Sequence, residues 1–158
     1  MRVGLGFDSH RLVSGRRLVL CGVEIPHEKG LAGHSDADVA LHALCDAILG
    51  AAGLPDLGTL FPDTDPRFRG AESTLFLRET LRLIKEKGLS VHQVDLVLVL
   101  SEPKIAPYRE RLRENLSRLL EIPPDRVGLK AKTPEGLPLS AEEVIVAWAV
   151  AVLRESPS

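Results

Sequence analysis

The sequence predicts a single domain of the α/β or α+β class, in which helices cover one face of a β-sheet. Segments with the apolar pattern of strands alternate along the chain with segments of helical periodicity. Glycine and proline residues stand at several of the boundaries between these segments. A length of 158 residues fits one domain with a substantial hydrophobic core, so we expect residues 1–158 to form a single domain.

Short apolar or alternating runs predict five strands. The first covers Val3 to Asp8, and the segment RRLVLCGVEIP supplies two short strands broken at Gly22. The segment VDLVLVL (94–100) has the composition of a buried strand, and RVGLKAK (126–132) forms another.

Capping signals and apolar periodicity predict four helices. The first begins after Ser35, with Asp38 completing an approximate capping box, and stops at Gly53. The second and third cover 73–88 and 107–121, and a long polar loop (54–71) precedes the second. The fourth contains the apolar run 144–153 and begins at an S-x-x-E capping box, Ser140 to Glu143.

Composition restricts the class of partner. A net charge of −2 and a pI near 6.2 give no electrostatic reason to expect nucleic acid or an anionic membrane. The run 144–153 is about half as long as a membrane span requires. Two cysteines are too few for a disulfide scaffold, and the N-terminus begins in a strand, so we expect a cytoplasmic protein without a secretory signal.

The stretch GFDSH places two metal-ligand types on one strand. Asp8 and His10 are two positions apart, so their side chains point to the same face. His42 lies on the first helix with Asp38 and Asp46 one turn to either side, and an adjacent carboxylate can fix the tautomer of a histidine. An Asp/His/His set suits zinc with an open fourth position. On spacing alone the alternative stays open, with His42 a hydrogen-bonded core histidine and the other two ending a strand.

Three other polar stretches have both a functional and an ordinary interpretation. The segment HSDAD (34–38) could bind an anion at a helix N-terminus or only cap it. The segment FPDTDP (61–66) could contact ligand or only form turns. The segment KAKTPEG (130–136) could line an active site or remain a solvated loop. Gly4 and Gly6 form a G-x-G that is too short for a dinucleotide fingerprint.

Taken together and in order, these stretches resemble the 2-C-methyl-D-erythritol 2,4-cyclodiphosphate synthases, the cyclases of the non-mevalonate isoprenoid pathway. The resemblance runs from Arg2 to about Glu135 and rests mainly on HSDADVALHALCDA and FPDTD, supported by GFDSH, EPK and KAKT. It implies a mixed sheet with helices on one side, in a homotrimer that packs its sheets around a threefold axis. Active sites would then lie between neighbouring subunits.

The resemblance also implies a reaction. The 2-phosphate of 4-diphosphocytidyl-2-C-methyl-D-erythritol 2-phosphate would attack the β-phosphorus, closing the cyclic diphosphate and releasing CMP, as in a phosphorus–oxygen lyase. Two alternatives are a zinc phosphohydrolase that uses water and a trimeric nucleotide- or metal-binding protein without catalysis.

Matching the family's motifs assigns roles to individual residues. Asp8, His10 and His42 would bind zinc, and Glu135 would hold a second ion, Mg²⁺ or Mn²⁺. His34 and Thr133 would stabilise the transition state.

Substrate contacts follow from the same match. Residues near the zinc would be Asp8, Ser9, His10, His34 and Ser35. Residues around the methylerythritol group would be Asp56, Leu57, Gly58, Phe61, Pro62, Asp63, Thr64 and Asp65. The cytidine diphosphate part would contact Leu100, Ser101, Glu102, Pro103, Lys104, Ile105, Ala106, Ala131, Lys132, Thr133 and Glu135, partly from the adjacent subunit.

The chain departs from the family pattern after Glu135. Relatives commonly read G-F-T-G-[RK]-G-E-G there, whereas an ungapped match places Leu139 at the aromatic position and Glu142 at the basic one. Lys132 also stands where relatives often have Thr or Ser. We expect this stretch to begin the last helix and not to hold an isoprenyl diphosphate at the threefold axis, because carboxylates there would repel an anion.

Overall fold

The computed structural model describes residues 1–135 and 143–157. The strands in these ranges are Arg2–Ser14 (β1), Leu18–Leu20 (β2), Val23–Ile25 (β3), Lys29–Leu31 (β4), Leu89–Val99 (β5), Val127–Lys132 (β6) and Val144–Glu155 (β7). The helices are Val39–Ala51 (α1), Leu57–Leu60 (α2), Ser73–Glu86 (α3) and Arg109–Leu120 (α4), with 3₁₀ turns at Pro66–Phe68 and Pro124–Arg126.

Among the described residues, the main sheet has five strands in the order β4-β1-β7-β5-β6. The central strand β7 pairs antiparallel with β1 and with β5, while β5 and β6 pair in parallel. Strands β2 and β3 form a separate antiparallel hairpin. The predicted class, a single domain with a mixed sheet and helices, is confirmed.

Helix α1 packs directly on strands β1 and β7. A Cβ atom added at Gly4 or Gly6 would overlap the backbone of α1, at Ala47 and Ala43 respectively. The G-x-G of β1 therefore permits close packing of a helix on a strand. It brings the next inward-facing residues of β1, Asp8 and His10, close to α1.

The opposite face of the same strands is apolar and exposed. Val3 and Leu5 are each 69% exposed and Phe7 is 50% exposed. Phe7 packs its ring edge-on to that of Trp148 on β7, with the ring centres 5.2 Å apart. A contiguous apolar surface of this kind is typical of a protein interface.

The prediction of a final helix is wrong, because residues Val144–Glu155 form the central strand β7. Alternate residues from Ile145 to Leu153 are buried, which is the period of a strand. A strand buried at the centre of a sheet reads as a continuous apolar run, and such a run does not distinguish strand from helix. Glu143, the last residue of the predicted capping box, directly precedes β7 and not a helix. Ser140, Leu139 and Glu142 themselves lie outside the described residues.

The start of α1 also differs from the prediction. The N-cap is Asp38, whose carboxylate accepts a hydrogen bond from the backbone N–H of Leu41 at 3.1 Å. Ser35 instead accepts a hydrogen bond from the backbone N–H of Ala37 at 3.1 Å, within the loop before the helix. The end of α1 before Gly53 is as predicted, with Gly53 at a φ of +72°.

Strand β4 and helix α2 were not predicted. Edge strand β4 has only three residues, and α2 has four within the segment expected to be a loop. No helix in the described ranges has both the length and the apolar character needed to cross a membrane.

Candidate metal and active site

Asp8, His10 and His42 meet at one point between β1 and α1. The Nε2 atom of His10 lies 2.8 Å from Oδ2 of Asp8, and Nδ1 of His42 lies 3.2 Å from the same oxygen. The two histidine nitrogens are 3.3 Å apart. These three side chains form a group that could hold a metal ion. The chemistry of the set, one carboxylate oxygen and two imidazole nitrogens, fits zinc with an open coordination position.

The orientation of His10 is fixed by the backbone. Its Nδ1 lies 2.8 Å from the carbonyl oxygen of Ala32, which can only accept, so Nδ1 carries the proton. In the neutral ring the Nε2 lone pair therefore points toward Asp8 and His42.

Asp8 and His10 shift each other's pKa. Burial raises the pKa of Asp8, but hydrogen bonds and charge from His10 and His42 outweigh it and hold that pKa at about 2. Burial lowers the pKa of His10, yet the hydrogen bond and charge of Asp8 outweigh it and raise the pKa above its usual 6.5. Asp8 is therefore ionised near neutral pH and can bind a metal cation through its carboxylate.

The nearest partner of the second nitrogen of His42 is Ser73, and not either of the carboxylates one turn away, Asp38 and Asp46. The Nε2 atom of His42 lies 2.9 Å from Oγ of Ser73, and the Ser73 hydroxyl donates to the carboxylate of Asp36. Neither Ser73 nor Asp36 was predicted to take part in this site. Ser73 is 31 residues from His42 and begins a different helix, so no local spacing signals the contact.

Asp38 is a structural residue that accepts hydrogen bonds from backbone N–H groups. Its fully buried carboxylate accepts backbone N–H groups from Cys21 at 3.0 Å, Gly22 at 2.7 Å and Leu41 at 3.1 Å. It therefore joins the turn of the β2–β3 hairpin to the start of α1. Burial raises the pKa of Asp38 to about 7, with the charge of Asp36 adding to that effect and the backbone hydrogen bonds opposing it.

A cavity of about 460 Å³ opens beside the Asp8, His10 and His42 group. It gathers six further residues that the sequence placed in the substrate site: His34, Ser35, Leu57, Gly58, Phe61 and Asp63. It is completed by residues that the sequence did not assign to the substrate: Gly33, Asp46, Phe68 and Phe76.

Asp46 links this cavity to the segment that follows α1. Its carboxylate accepts the backbone N–H of Leu57 at 2.7 Å. Burial raises the pKa of Asp46, and the hydrogen bond from Leu57 opposes that shift. The prediction that Asp46 shares a face of α1 with His42 is consistent with this position.

Three aromatic rings form the apolar wall of the cavity. Phe61, Phe68 and Phe76 have ring centres 5.4 to 5.6 Å apart, and Phe76 also packs edge-on to His42 at 6.0 Å. These rings hold the segment 57–68 against α3 and limit the access of water to one side of the cavity.

Several predicted substrate residues do not line this cavity. Ser9 lies on the opposite face of β1 because strand residues alternate. The carboxylates of Asp56 and Asp65 are engaged locally, with the backbone of Thr59 at 3.1 Å and the guanidinium of Arg67 at 2.7 Å. Pro62 and Thr64, which lie in the same segment, do not line the cavity either.

A second cavity, of about 490 Å³, gathers most of the residues predicted to contact the nucleotide. They are Leu100, Ser101, Pro103, Lys104, Ile105, Ala106, Ala131, Lys132 and Thr133, joined by Arg109 and Lys130, which were not predicted. Glu102 does not line it. Four basic side chains beside apolar ones suit a ligand with phosphate and base parts.

Thr133 lines this second cavity, and Glu135, which like Glu102 does not line it, contacts the Thr133 side chain. The hydroxyl of Thr133 donates to Glu135 at 2.7 Å, and Glu135 has a φ of +50°. A left-handed conformation at a residue other than glycine is often found at functional sites. His34 and Thr133 thus line different cavities of one chain.

Comparison with known proteins identifies the family. The model of the YgbB family matches residues 1–154. The chain belongs to the YgbB family. A Thermus thermophilus protein named 2-C-methyl-D-erythritol 2,4-cyclodiphosphate synthase is 58% identical over 137 residues, which cover 87% of this chain and 90% of that protein. A Syntrophobacter fumaroxidans protein of the same name is 51% identical over 155 residues, covering 98% of each.

Solved structures of YgbB relatives agree with this assignment. A structure of 2C-methyl-D-erythritol-2,4-cyclodiphosphate synthase in a CDP-bound form has a TM-score of 0.91 and 52% identity, covering 97% of this chain and 100% of that one. A Plasmodium falciparum CDP complex has a TM-score of 0.85 and 32% identity, covering 99% and 97% of the two chains. The resemblance read from the sequence is confirmed, and so is the prediction that this chain is an enzyme.

Proposed function

We propose that this enzyme converts 4-diphosphocytidyl-2-C-methyl-D-erythritol 2-phosphate to 2-C-methyl-D-erythritol 2,4-cyclodiphosphate and CMP. An oxygen of the 2-phosphate bonds to the β-phosphorus, and the bond from that phosphorus to the bridging oxygen breaks, so CMP leaves with the electron pair. The observation that carries the proposal is the convergence of Asp8, His10 and His42 at the wall of a cavity. The CDP-bound relative at 52% identity supports the nucleotide part.

The residues of the first cavity would hold the reacting phosphates. Asp8, His10 and His42 would bind zinc, which when bound supplies Lewis-acid polarisation of a phosphoryl oxygen. The Nε2 atom of His34 is buried and has no hydrogen-bond partner among the described residues. It is therefore available to donate to a phosphate oxygen, and such donors favour the charge that develops during phosphoryl transfer.

The segment from Asp56 to Asp65 would hold the methylerythritol group. Asp63 lines the cavity and can accept a hydroxyl, while Phe61 covers the apolar side. The flexible substrate would then be held with its two phosphates close together, and this positioning would remove a large part of the barrier to ring closure.

The second cavity would take the cytidine diphosphate part. Lys104 would lie near the phosphates and the backbone of 100–106 would contact the cytosine. Glu135 would hold Mg²⁺ or Mn²⁺, cations that prefer oxygen ligands, and the hydroxyl of Thr133 would donate to the diphosphate.

We propose a homotrimer in which one active site uses the first cavity of one subunit and the second cavity of its neighbour. Two observations support this arrangement. The residues needed for one substrate line two different cavities of a single chain. The face of β1 and β7 opposite α1 exposes Val3, Leu5 and Phe7, and packing against other copies would remove it from water. Mass measurement in solution tests the oligomeric state, and a monomer at micromolar concentration would refute it.

The location proposed is the cytoplasm. Cys21 and Cys45 are both buried thiols without a disulfide, which suits a reducing compartment.

Incubation with the cytidylyl substrate, Zn²⁺ and Mg²⁺, followed by ³¹P NMR, tests the proposed reaction. The expected products are CMP and a cyclic diphosphate in equal amounts. Inorganic phosphate or a linear product would indicate a phosphohydrolase. Binding of the nucleotide without turnover would indicate a binding protein.

A further inference from the structure

We propose that Ser73 and Asp36 are positioning residues that fix the tautomer of His42 and so direct its Nδ1 lone pair to the metal position. The inference rests on the proposed metal site and adds two residues that do not contact the ion. The relay is defined as the chain of hydrogen bonds from His42 through Ser73 to Asp36.

The carboxylate of Asp36 sets the direction of the relay. One of its oxygens accepts the hydroxyl of Ser73, and the other accepts the backbone N–H of Ser73 at 3.0 Å. An ionised carboxylate has no proton to donate. The Ser73 hydroxyl must therefore be the donor in that contact, and its hydrogen is committed to Asp36.

Once its hydrogen is committed, Oγ of Ser73 can only accept toward its other neighbour. That neighbour is Nε2 of His42 at 2.9 Å, so Nε2 carries a proton. The opposite tautomer would place two lone pairs face to face at that distance, in a position fully buried at Ser73. Leaving buried polar groups unpaired is costly, so the relay selects one tautomer.

The consequence falls on the other nitrogen of the ring. With Nε2 protonated, neutral His42 has its lone pair on Nδ1, which faces Asp8 at 3.2 Å and His10 at 3.3 Å. Ser35 also lies near Nε2, but its Oγ is 3.4 Å away, against 2.9 Å for Oγ of Ser73. Ser73 is therefore the main partner.

The relay is anchored from both sides. The backbone N–H of Asp36 donates to the carbonyl of Ala71 at 3.1 Å, and the N–H of Gly70 donates to the carbonyl of His34 at 2.8 Å. These bonds tie the loop before α1 to the loop before α3. The relay residues are thus held in place without the metal, and outer partners of this kind typically change metal affinity by about 10- to 100-fold.

The test uses the zinc-loaded protein with ¹⁵N-labelled histidine. In the unmodified protein we expect the Nε2–H proton of His42 to give a signal protected from exchange with water. In Ser73→Ala this signal should lose its protection, and zinc affinity, measured by competition with a chromophoric chelator, should fall by about 10- to 100-fold. Asp36→Asn has one acceptor oxygen in place of two and should lower zinc affinity as well.

Thr80→Val is the matched control, because Thr80 is another fully buried hydroxyl residue of α3. It should leave both the His42 signal and the zinc affinity unchanged. An equal loss in Thr80→Val would overturn the inference, since the effect would then be general to the helix. An unprotected Nε2–H in the unmodified protein would overturn it without any variant. If the unmodified protein binds no zinc, the proposed metal site itself is wrong. If the unmodified protein and Ser73→Ala bind zinc with the same affinity, the metal site stands and only the role of Ser73 is wrong.

Discussion

The Cα atom of Gly6 in β1 lies directly against the backbone of Ala43 in α1, with no space for a side chain between them. Because α1 rests on the strand itself, His42 can reach Asp8 and His10. The distance between helix and strand is therefore part of the site, and it depends on the absence of a Cβ atom.

Gly6→Ala should push α1 away from β1 and separate His42 from the other two ligands. Overpacking of a tight interior typically costs about 1–3 kcal/mol, so we expect a lower free energy of unfolding and weaker zinc binding. Denaturant unfolding and zinc titration measure the two effects.

Gly50→Ala is the control in the same helix, since a Cβ atom there would meet nothing within 4 Å. It should raise the free energy of unfolding by up to about 1 kcal/mol, because alanine is the better helix former. Zinc binding by Gly6→Ala at the affinity of the unmodified protein would contradict the role given to this contact.

Asp38→Ala should destabilise the fold by about 2–4 kcal/mol. The change removes the N-cap of α1 and leaves the N–H groups of Cys21 and Gly22 without their acceptor. Thermal and denaturant unfolding provide the measurement. Asp56→Ala, which removes the N-cap of the short exposed helix α2, should cost under about 1 kcal/mol. Equal losses in the two variants would mean that the hairpin contact adds nothing.

How far the sequence predicted the fold depended on local signals. The strands around Gly22 and the end of α1 at Gly53 were marked by glycine and by apolar spacing, and they form as expected. No local signal distinguished strand β7 from a helix, because its position at the centre of the sheet depends on pairing with β1 and β5, which lie far away in sequence. A continuous apolar run does not show which strands it will pair with, or whether it forms a strand at all.

The candidate site shows the same division. Asp8 and His10 share a face by strand geometry alone, and the motif match brought in His42. The relay through Ser73 and the aromatic wall of Phe68 and Phe76 depend on how α3 docks against α1. Tertiary contacts of this kind produce no periodic pattern in the sequence, so the sequence offered as the histidine's partner only the carboxylates one turn away, Asp38 and Asp46.

His42→Ala should abolish zinc binding and cyclisation while the fold is retained. Removing one of three ligands leaves too few donors for tight coordination. Metal analysis of the purified variant gives the zinc content, and circular dichroism reports the fold. His27→Ala, a histidine outside both cavities, should keep full zinc content and activity. Full zinc occupancy in His42→Ala would exclude the assigned site.

The stability contributed by His10 in the metal-free protein should fall as pH rises above its ordinary pKa of 6.5. The raised pKa of His10 means that the folded state holds this proton more tightly than the unfolded chain, whose value is 6.5. That contribution is complete below 6.5 and is lost as pH rises through the folded pKa. The depressed pKa of Asp8 contributes above its unfolded value of 3.8 and is lost as pH falls toward about 2. The pair therefore stabilises the metal-free fold most between these two unfolded values.

Asp8→Asn should flatten this pH dependence above pH 6, because the charge that raises the pKa of His10 is gone. Denaturant unfolding of chelator-treated protein at several pH values gives the two slopes. Parallel slopes in the two proteins would show that Asp8 does not control the proton on His10.

Mixing two inactive variants should restore activity if each active site is shared between subunits. His42→Ala disables the first cavity and Thr133→Ala disables the second, so either variant alone has no intact site. In a randomly mixed trimer, a site pairs the first cavity of one subunit with the second cavity of its neighbour. With equal amounts of the two variants, about a quarter of the sites combine two unmodified halves. Cyclic product measured by ³¹P NMR after subunit exchange should therefore reach about that fraction of the activity of the unmodified protein. Exchange is verified separately by mass spectrometry of differently labelled subunits. If exchange is complete and no activity returns, both cavities act within one subunit, and the proposed interface site is wrong.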